Sequence, residues 1–252
     1  MGDLKAGSIG LRDKVACNLI RWCKCHCVHQ NIHIPPMLFD MGCQLVVLAC
    51  NTASAKALRT IQQQDLPKIA PDRRVLGVIR PTTEIVGNYS KTKHVGVLAT
   101  RGTVVSQSYV IEIQKFFPEI TVFQQACPMW VPLVENNEHE GDGADYFVKK
   151  YLSELLVQSS HIDTVVLGCT HYPLLEKKIR QYLPTNVQLL SQGEIVAKSL
   201  LDYLHRHPEI EAVCNKGGNV EYFTTESAED FDRKAAIFLG HELKSKHIAL
   251  VG

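Results

Sequence analysis

Two cysteines follow short apolar runs in the same local pattern, and thiol chemistry is the first reactivity that this sequence offers. Cys50 follows residues 45–49 and Cys169 follows residues 164–168, and amide or hydroxyl residues come directly after each cysteine. A thiolate is the reactive form of cysteine, and a helix N-terminus favours it because unpaired backbone N–H groups and the helix dipole stabilise negative charge. The same kind of strand-to-helix junction offers hydrogen-bond donors to a small carboxylate.

A thiol on each side of a bound amino acid allows one thiol to remove the α-proton while the other returns a proton to the opposite face. This is racemisation by two general acid/bases. His171 lies two positions after Cys169, and an imidazole, with an ordinary pKa of about 6.5, is suited to hold the proton or pass it on. The alternative is that Cys50 and Cys169 are small buried apolar residues at strand ends. The duplicated pattern favours chemistry.

Positioning two such thiols requires a sheet whose strands end at the cysteines. The four apolar runs are continuous and span residues 45–49, 75–79, 95–99 and 164–168. Continuous runs are typical of strands buried on both faces. Helical patterns separate or follow these runs, over residues 53–63, 104–117, 145–158 and 174–183.

The alternation of strands and helices predicts an α/β fold with parallel sheets and right-handed crossovers. Ligands of open α/β sheets bind beyond the carboxyl ends of the strands, where Cys50 and Cys169 are expected. Two halves that each end in a cysteine predict two similar domains that face one another across a cleft.

The composition is that of an ordinary globular protein. The chain has 252 residues, of which 45% are hydrophobic and 21% charged, and its formal net charge is +1. A balance this close to neutral gives no electrostatic reason to expect nucleic acid or an anionic membrane as a partner. No apolar run approaches the roughly 20 residues that span a bilayer, and residues 1–20 lack the apolar core of a secretory signal. We therefore expect a cytoplasmic protein.

The chain contains nine cysteines, and they are concentrated near its start. In a cytosolic protein such thiols are more often free, catalytic or metal-bound than disulfide-bonded. Cys23, Cys25, Cys27 and His29 are potential zinc or copper ligands, which makes a metal site a competing interpretation of this segment. Their single-residue spacing is tighter than that of common zinc motifs, so this interpretation is not favoured.

Three ordered stretches resemble glutamate racemases of the aspartate/glutamate racemase family. They are ACNTASA at 49–55, VGVLATRGTVVS at 95–106 and LGCTHYPLL at 167–175. Residues 132–135 and 222–231 are also similar to the family, and the resemblance covers about residues 37–250. The Cys-Thr-His-Tyr-Pro order is similar to the glutamate branch, because aspartate racemases usually carry an acidic residue at the position of His171.

The resemblance implies a cofactor-independent isomerase that interconverts L- and D-glutamate and supplies D-glutamate for peptidoglycan. It implies that Cys50 acts on the D-enantiomer and Cys169 on the L-enantiomer, with His171 assisting the second cysteine. The substrate-binding positions that it implies are Asn51, Thr52, Thr170, His171 and Glu135. For Glu135, a solvated loop glutamate is an equally good interpretation.

The resemblance also implies a domain organisation. The first domain comprises residues 1–93 plus 187–252, and the second comprises residues 94–186. No metal or pyridoxal cofactor is implied, glutamate is the small-molecule partner, and a homodimer is possible because dimers are common in the family.

Residues 1–36 do not resemble the family. Family members normally open with a strand followed by Asp-Ser-Gly-x-Gly-Gly and later carry Pro-Tyr-Gly, and the sequence contains neither motif. A shifted reading frame or a splice to foreign sequence explains this best. We therefore expect a truncated first domain that lacks its first strand, which exposes the neighbouring strand and destabilises the domain.

Three functional classes follow. The first is an amino-acid racemase, and the second is an inactive remnant that at most binds glutamate or a partner. The third, a cysteine hydrolase, is disfavoured because no separate base and orienting group accompany a single nucleophile.

Overall fold

The computed structural model describes residues 15–17, 36–215 and 220–249, which form parallel sheets with helices between the strands. The strands are β1 (Val15–Cys17), β2 (Leu45–Leu48), β3 (Arg74–Gly77), β4 (His94–Ala99), β5 (Thr121–Ala126), β6 (Thr164–Gly168), β7 (Gln188–Leu190), β8 (Tyr222–Thr224) and β9 (Ser245–His247). All of the strand pairs among them are parallel. The predicted α/β class with parallel sheets is therefore confirmed.

The helices vary widely in length. They are α1 (Asn51–Lys56), α2 (Leu58–Thr60), α3 (Leu66–Ile69), α4 (Ile79–Thr83), α5 (Arg101–Val105), α6 (Ser108–Phe116), α7 (Trp130–Glu135), α8 (Asp142–Leu156), α9 (Glu176–Tyr182), α10 (Gln192–Arg206), α11 (Pro208–Val213) and α12 (Ala228–Leu239). Residues 36–40 are also helical. A π-helical turn spans Ile61–Asp65, and 3-10 turns span Val86–Asn88 and Tyr172–Leu175. In the described part of the chain, no helix combines the length and the apolar character needed to cross a membrane.

The chain divides into two compact units, one comprising Met1–Gly77 and Ala197–Gly252 and the other Val78–Val196. The predicted domain boundaries at 93/94 and 186/187 differ from this division. Residues 78–93 group with the second unit because Ser90 Oγ donates a hydrogen bond to Asp163 Oδ1 over 2.6 Å. The amide of Gln192 likewise donates to the Val78 carbonyl over 3.1 Å.

The first unit contains a three-stranded sheet in the order β1-β2-β3. All four residues of β2 are buried, as the continuous apolar run predicted. β1 pairs with β2 in the register Val15↔Leu45. The expectation that the sheet lacks its first strand is therefore wrong. Three residues of the atypical segment, Val15–Cys17, form an edge strand that pairs with β2.

The predicted helix over residues 53–63 is instead divided into α1, α2 and a π-helical turn. The divided stretch ends in α3, which carries Pro67 in its first turn. Proline has no backbone N–H and cannot donate to the carbonyl four residues earlier, so the α-helical hydrogen-bond ladder is interrupted there. Leu38, Val46, Ile61 and Val75 belong to one buried cluster, which packs these short helices against the sheet.

The second unit contains a four-stranded sheet in the order β5-β4-β6-β7. The central strands β4 and β6 are almost completely buried, which confirms the strands predicted from the apolar runs at 95–99 and 164–168. The register pairs Ala99 with Gly168. A Cβ atom at Gly168 would lie 3.1 Å from the Leu98 carbonyl oxygen and 3.2 Å from Tyr109 Cε2, so only glycine fits at the end of β6 without a shift.

Candidate active site

Cys50 lies at the carboxyl end of β2 and is the N-cap residue of α1. It is exposed, whereas the adjacent Asn51 is only 2% exposed and Thr52 is half-buried. The strand-to-helix junction predicted for this cysteine is confirmed. Helix N-termini favour negative charge, so a thiolate at Cys50 lies in a favourable local field.

Ser54 fixes the backbone before Cys50. Its Oγ donates a hydrogen bond of 2.7 Å to the Leu48 carbonyl, and its backbone N–H donates to the Cys50 carbonyl over 2.9 Å. These two bonds tie the first turn of α1 to the end of β2. The position of the Cys50 thiol is therefore set by a buried strand and a buried serine.

Cys169 follows β6 directly and is 7% exposed. The predicted junction with a helix is corrected at this site: residues 169–171 form a turn, and the 3-10 turn begins at Tyr172. Pro173 explains the later start, because a proline lacks an N–H and is best accommodated in the first turn of a helix. Cys169 therefore lies in the turn that precedes the helix.

His171 lies between Cys169 and Glu135. Its Nδ1 is 3.7 Å from Cys169 Sγ, and its Nε2 is 3.5 Å from Glu135 Oε1. A carboxylate beside Nε2 favours a proton on that nitrogen, which leaves the Nδ1 lone pair directed toward the thiol. This arrangement can accept a proton from Cys169 and stabilise the resulting imidazolium. The premise used against a cysteine hydrolase, that no base and orienting group accompany a nucleophile, is therefore wrong.

Glu135 is the last residue of α7, so its alternative interpretation as a loop glutamate is wrong. Its side chain is 28% exposed, compared with 11% for that of His171. The carboxylate thus keeps partial contact with water and lies beside a largely buried imidazole.

A buried aromatic group packs behind the turn of Cys169. Tyr172 is 0% exposed, and its hydroxyl donates a 3.2 Å hydrogen bond to the Cys127 carbonyl. The ring of Trp130 meets it edge-on, with 4.7 Å between the ring centroids. Burial raises the pKa of Tyr172 well above its ordinary value. Tyr172 therefore remains a neutral hydrogen-bond donor that anchors the turn.

A second buried tyrosine, Tyr109, approaches the end of β6 from α6. Its hydroxyl accepts a 2.8 Å hydrogen bond from Gln192 Nε2, and its ring lies against Gly168. Burial is the main cause that raises the pKa of Tyr109. Neither Tyr109 nor Gln192 is predicted from the sequence, because a polar residue two positions after the short strand β7 is too common to be informative.

The described residues include every predicted site residue. In the second unit, Cys169, Thr170, His171 and Glu135 lie at the end of β6, and Thr170 is half-buried. In the first unit, Cys50, Asn51 and Thr52 lie at the end of β2. The alternative metal site at Cys23, Cys25, Cys27 and His29 lies outside the described residues. Within residues 36–215 and 220–249, no three His, Cys, Asp or Glu side chains are grouped as metal ligands.

A parallel α/β fold with a cysteine at the carboxyl end of a buried strand in each unit is the arrangement expected of the racemase class. The family described as Asp/Glu/Hydantoin racemase matches residues 32–200. The chain belongs to this family of amino-acid racemases, which are isomerases. The resemblance noted in the sequence is thereby confirmed at the level of the family.

Within the family, the most informative relatives are glutamate racemases. The glutamate racemase of Ruegeria sp. is 38% identical over 227 residues, which cover 85% of this chain and 79% of that protein. The glutamate racemase of Aquifex aeolicus is 34% identical over 248 residues, which cover 98% of this chain and 85% of that protein. The similarity thus extends over most of both relatives.

Solved structures agree with the sequence comparison. Glutamate racemase isoform RacE1 from Bacillus anthracis has a TM-score of 0.75 and 29% identity, covering 88% of this chain and 81% of that chain. The glutamate racemase from Francisella tularensis, solved in complex with D-glutamate, has a TM-score of 0.73 and 27% identity, covering 88% and 78%. The Escherichia coli glutamate racemase, solved with L-glutamate and an activator, has a TM-score of 0.66 and 26% identity, covering 89% and 82%.

Proposed function

We propose that this protein is a cofactor-independent glutamate racemase in which Cys50 and Cys169 are the two acid/bases. The observation that carries the proposal is the series Cys169–His171–Glu135 at the end of a buried strand, with distances of 3.7 Å and 3.5 Å between successive groups. A thiol, an imidazole and a carboxylate in this order can generate and stabilise a thiolate base.

In the L-to-D direction, the Cys169 thiolate takes the α-proton of L-glutamate, and the electron pair of the C–H bond remains on the α-carbon, delocalised into the adjacent carboxylate. The Cys50 thiol then gives its proton to the opposite face, which yields D-glutamate and a Cys50 thiolate. In the D-to-L direction the two cysteines exchange roles. His171 assists Cys169 by holding a proton at Nδ1, and Glu135 orients the ring.

Substrate binding is assigned to Asn51, Thr52, Thr170, His171 and Glu135. Thr52 lies two positions after Cys50, Thr170 lies directly after Cys169, and both residues are half-buried. Their hydroxyls are therefore suited to donate a hydrogen bond to a ligand carboxylate. Asn51 is buried beside Cys50. We assign glutamate as the substrate because two related structures contain D-glutamate or L-glutamate.

The product, D-glutamate, suits a role in supplying peptidoglycan synthesis. A cytoplasmic location and a homodimer stay predictions from the sequence.

The test is α-proton exchange in deuterated buffer, followed by proton NMR, with D-glutamate and L-glutamate as separate substrates. We expect the wild-type chain to exchange and racemise both enantiomers, and Cys50→Ala and Cys169→Ala each to abolish racemisation. Cys214→Ala is the matched control, since Cys214 lies after α11 at some distance in sequence from both motifs. It should retain the wild-type rate.

The absence of the Asp-Ser-Gly-x-Gly-Gly and Pro-Tyr-Gly motifs favours a second candidate, an inactive remnant that at most binds glutamate or a partner. A folded wild-type protein that exchanges neither enantiomer would support this candidate and contradict the racemase proposal. Binding is then measured separately, by calorimetric titration with each enantiomer.

A further inference from the structure

One buried amide connects three elements behind the end of β6. Gln192, the first residue of α10, is 9% exposed. Its Nε2 lies 3.1 Å from the Val78 carbonyl, 3.0 Å from Thr82 Oγ1 and 2.8 Å from the Tyr109 hydroxyl. An amide –NH2 group carries two protons, so these three acceptors share two donors. The shortest distance is the one to Tyr109.

Tyr109 connects this amide to the reactive turn. The residue is 0% exposed, and its ring carbon Cε2 would lie 3.2 Å from a Cβ atom at Gly168. Gly168 is bonded directly to Cys169, so the tyrosine ring forms the surface against which the end of β6 rests. The charge of Cys169 also raises the pKa of Tyr109, in addition to the larger effect of burial, which indicates that the two side chains are near each other.

We propose that Gln192 is a positioning residue for Cys169: its hydrogen bond holds the Tyr109 ring against Gly168 and thereby fixes where the Cys169 thiol lies. Close packing in a buried site transmits such a constraint because neighbouring atoms have no space to relax. A displacement of about 1 Å at a reacting group can lower a rate on the order of a hundredfold. This inference rests on the proposed function for its kinetic consequence, although the placement of the thiol can be measured independently.

The variants are Gln192→Met and Tyr109→Phe. The first removes the amide donors at nearly constant volume, and the second removes the hydroxyl and keeps the ring. Thr82→Val is the matched control, because it also removes one buried acceptor of Gln192 but is not the residue that packs on Gly168. If Gln192→Met fails to fold, Tyr109→Phe carries the test.

The kinetic measurement is the primary deuterium isotope effect on kcat/KM, with substrates deuterated at the α-carbon. L- and D-glutamate have equal free energies, so any variant lowers kcat/KM equally in the two directions. The isotope effects in the two directions do not have to change equally, because each reports how far removal of the α-proton limits the rate in its own direction. A misplaced Cys169 makes removal of the α-proton of L-glutamate more rate-limiting, which raises the isotope effect in the L-to-D direction and lowers it in the D-to-L direction.

The second measurement is alkylation of Cys169 by iodoacetamide, quantified by peptide mass spectrometry with the exposed Cys50 as the internal reference. We expect Gln192→Met and Tyr109→Phe to lower kcat/KM on the order of tenfold, to change the isotope effects in opposite directions, and to raise Cys169 alkylation several-fold relative to Cys50. Thr82→Val should leave both the isotope effects and the alkylation ratio at wild-type values.

Lower thermal stability of both variants, with isotope effects and Cys169 alkylation unchanged, would overturn the inference and make the network purely structural. Failure of the proposed function has a different signature. Wild-type protein without racemisation would contradict the racemase proposal, while a changed alkylation ratio in Tyr109→Phe would still support the positioning of Cys169 by this network.

Discussion

The Nδ1 atom of His171 lies 3.7 Å from the Sγ atom of Cys169. The two residues share one turn, so their separation is set locally, by the end of β6 and by the 3-10 turn that follows it. Glu135, in contrast, comes from α7 and reaches the other ring nitrogen at 3.5 Å. In the proposed mechanism, proton transfer at the thiol therefore depends on one local contact and one tertiary contact.

The tertiary contact can be tested by Glu135→Gln. The substitution removes the negative charge beside Nε2, which weakens the stabilisation of the imidazolium and should lower kcat/KM for glutamate racemisation on the order of tenfold. His171→Asn removes the imidazole itself and should cost about 10²- to 10⁴-fold. Rates are followed by the change in optical rotation or circular dichroism of glutamate.

Glu138→Gln is the matched control for Glu135→Gln, because Glu138 is exposed three residues further along the chain. It should retain the wild-type rate. A full rate in Glu135→Gln would show that the carboxylate neither orients the histidine nor binds the substrate.

The close packing at the end of β6 predicts that Gly168→Ala is destabilising. The new methyl group would meet the Leu98 carbonyl oxygen at 3.1 Å, and this oxygen is part of a buried strand. Overpacking of this kind typically costs about 1–3 kcal/mol. The measurement is the midpoint of urea unfolding, in parallel with the racemisation rate, which should also fall because Cys169 is the next residue.

Gly143→Ala provides the comparison, since a Cβ atom there would have no neighbour within 4 Å. Gly143 lies in α8, where alanine should stabilise by about 0.4–1 kcal/mol. Equal effects of the two substitutions would contradict the packing described for Gly168.

Asp163 makes a contribution to the stability of the protein that depends on pH. Partial burial opposes its ionisation, but hydrogen bonds from the Ser90 hydroxyl and the N–H groups of Thr92 and Lys91 outweigh burial and lower the pKa of Asp163. A carboxyl group whose pKa is lower in the folded than in the unfolded state contributes stability above its unfolded pKa of about 3.9. This contribution is lost as the pH falls through the folded pKa.

Asp163→Asn should therefore lower the unfolding free energy by about 1–2 kcal/mol at pH 7. The difference from wild type should shrink as the pH falls below about 4. Unfolding in urea at a series of pH values measures this effect. Asp202→Asn is the control, because its partner Arg206 forms only an exposed pair with it, and it should change stability by at most about 0.5 kcal/mol.

Ser54→Ala tests whether the Ser54 side chain holds the main chain that carries Cys50. Loss of the 2.7 Å hydrogen bond leaves the Leu48 carbonyl without its serine donor, which should cost about 1–3 kcal/mol of stability. Because the bond also fixes the first turn of α1, we expect exchange of the D-glutamate α-proton to slow. A variant as stable and as active as wild type would show that the strand end is held by other groups.

The sequence alone predicts the strands that precede the two cysteines, β2 and β6, and also β4, because all three are buried on both faces and consist of continuous apolar runs. The sequence does not predict β5 and β7. β7 has only three residues, and such a run cannot be distinguished from a loop by periodicity. Residues 121–126 of β5 are only partly buried and show no continuous apolar run.

The candidate site is predictable only where its contacts are local. Cys169 and His171 are separated by one residue, so their proximity follows from any compact turn. The contact of Glu135 with His171 and that of Gln192 with Tyr109 depend on how helices pack against the sheet. A single sequence carries no periodic signal for such contacts, because each involves one side chain from each of two distant segments.

The pairing of β1 with β2 separates the architecture of the first unit from its chemistry. Main-chain N–H and C=O groups hold a parallel edge strand, and every amino acid except proline carries both. Main-chain pairing at this edge of the sheet therefore does not require particular side chains. Val15–Cys17 occupies the edge position without the residues that accompany the first strand in the family. An edge position of this type is a natural site for exchange of segments: a strand that carries a different loop can be grafted there while β2, and with it Cys50, keeps its neighbour.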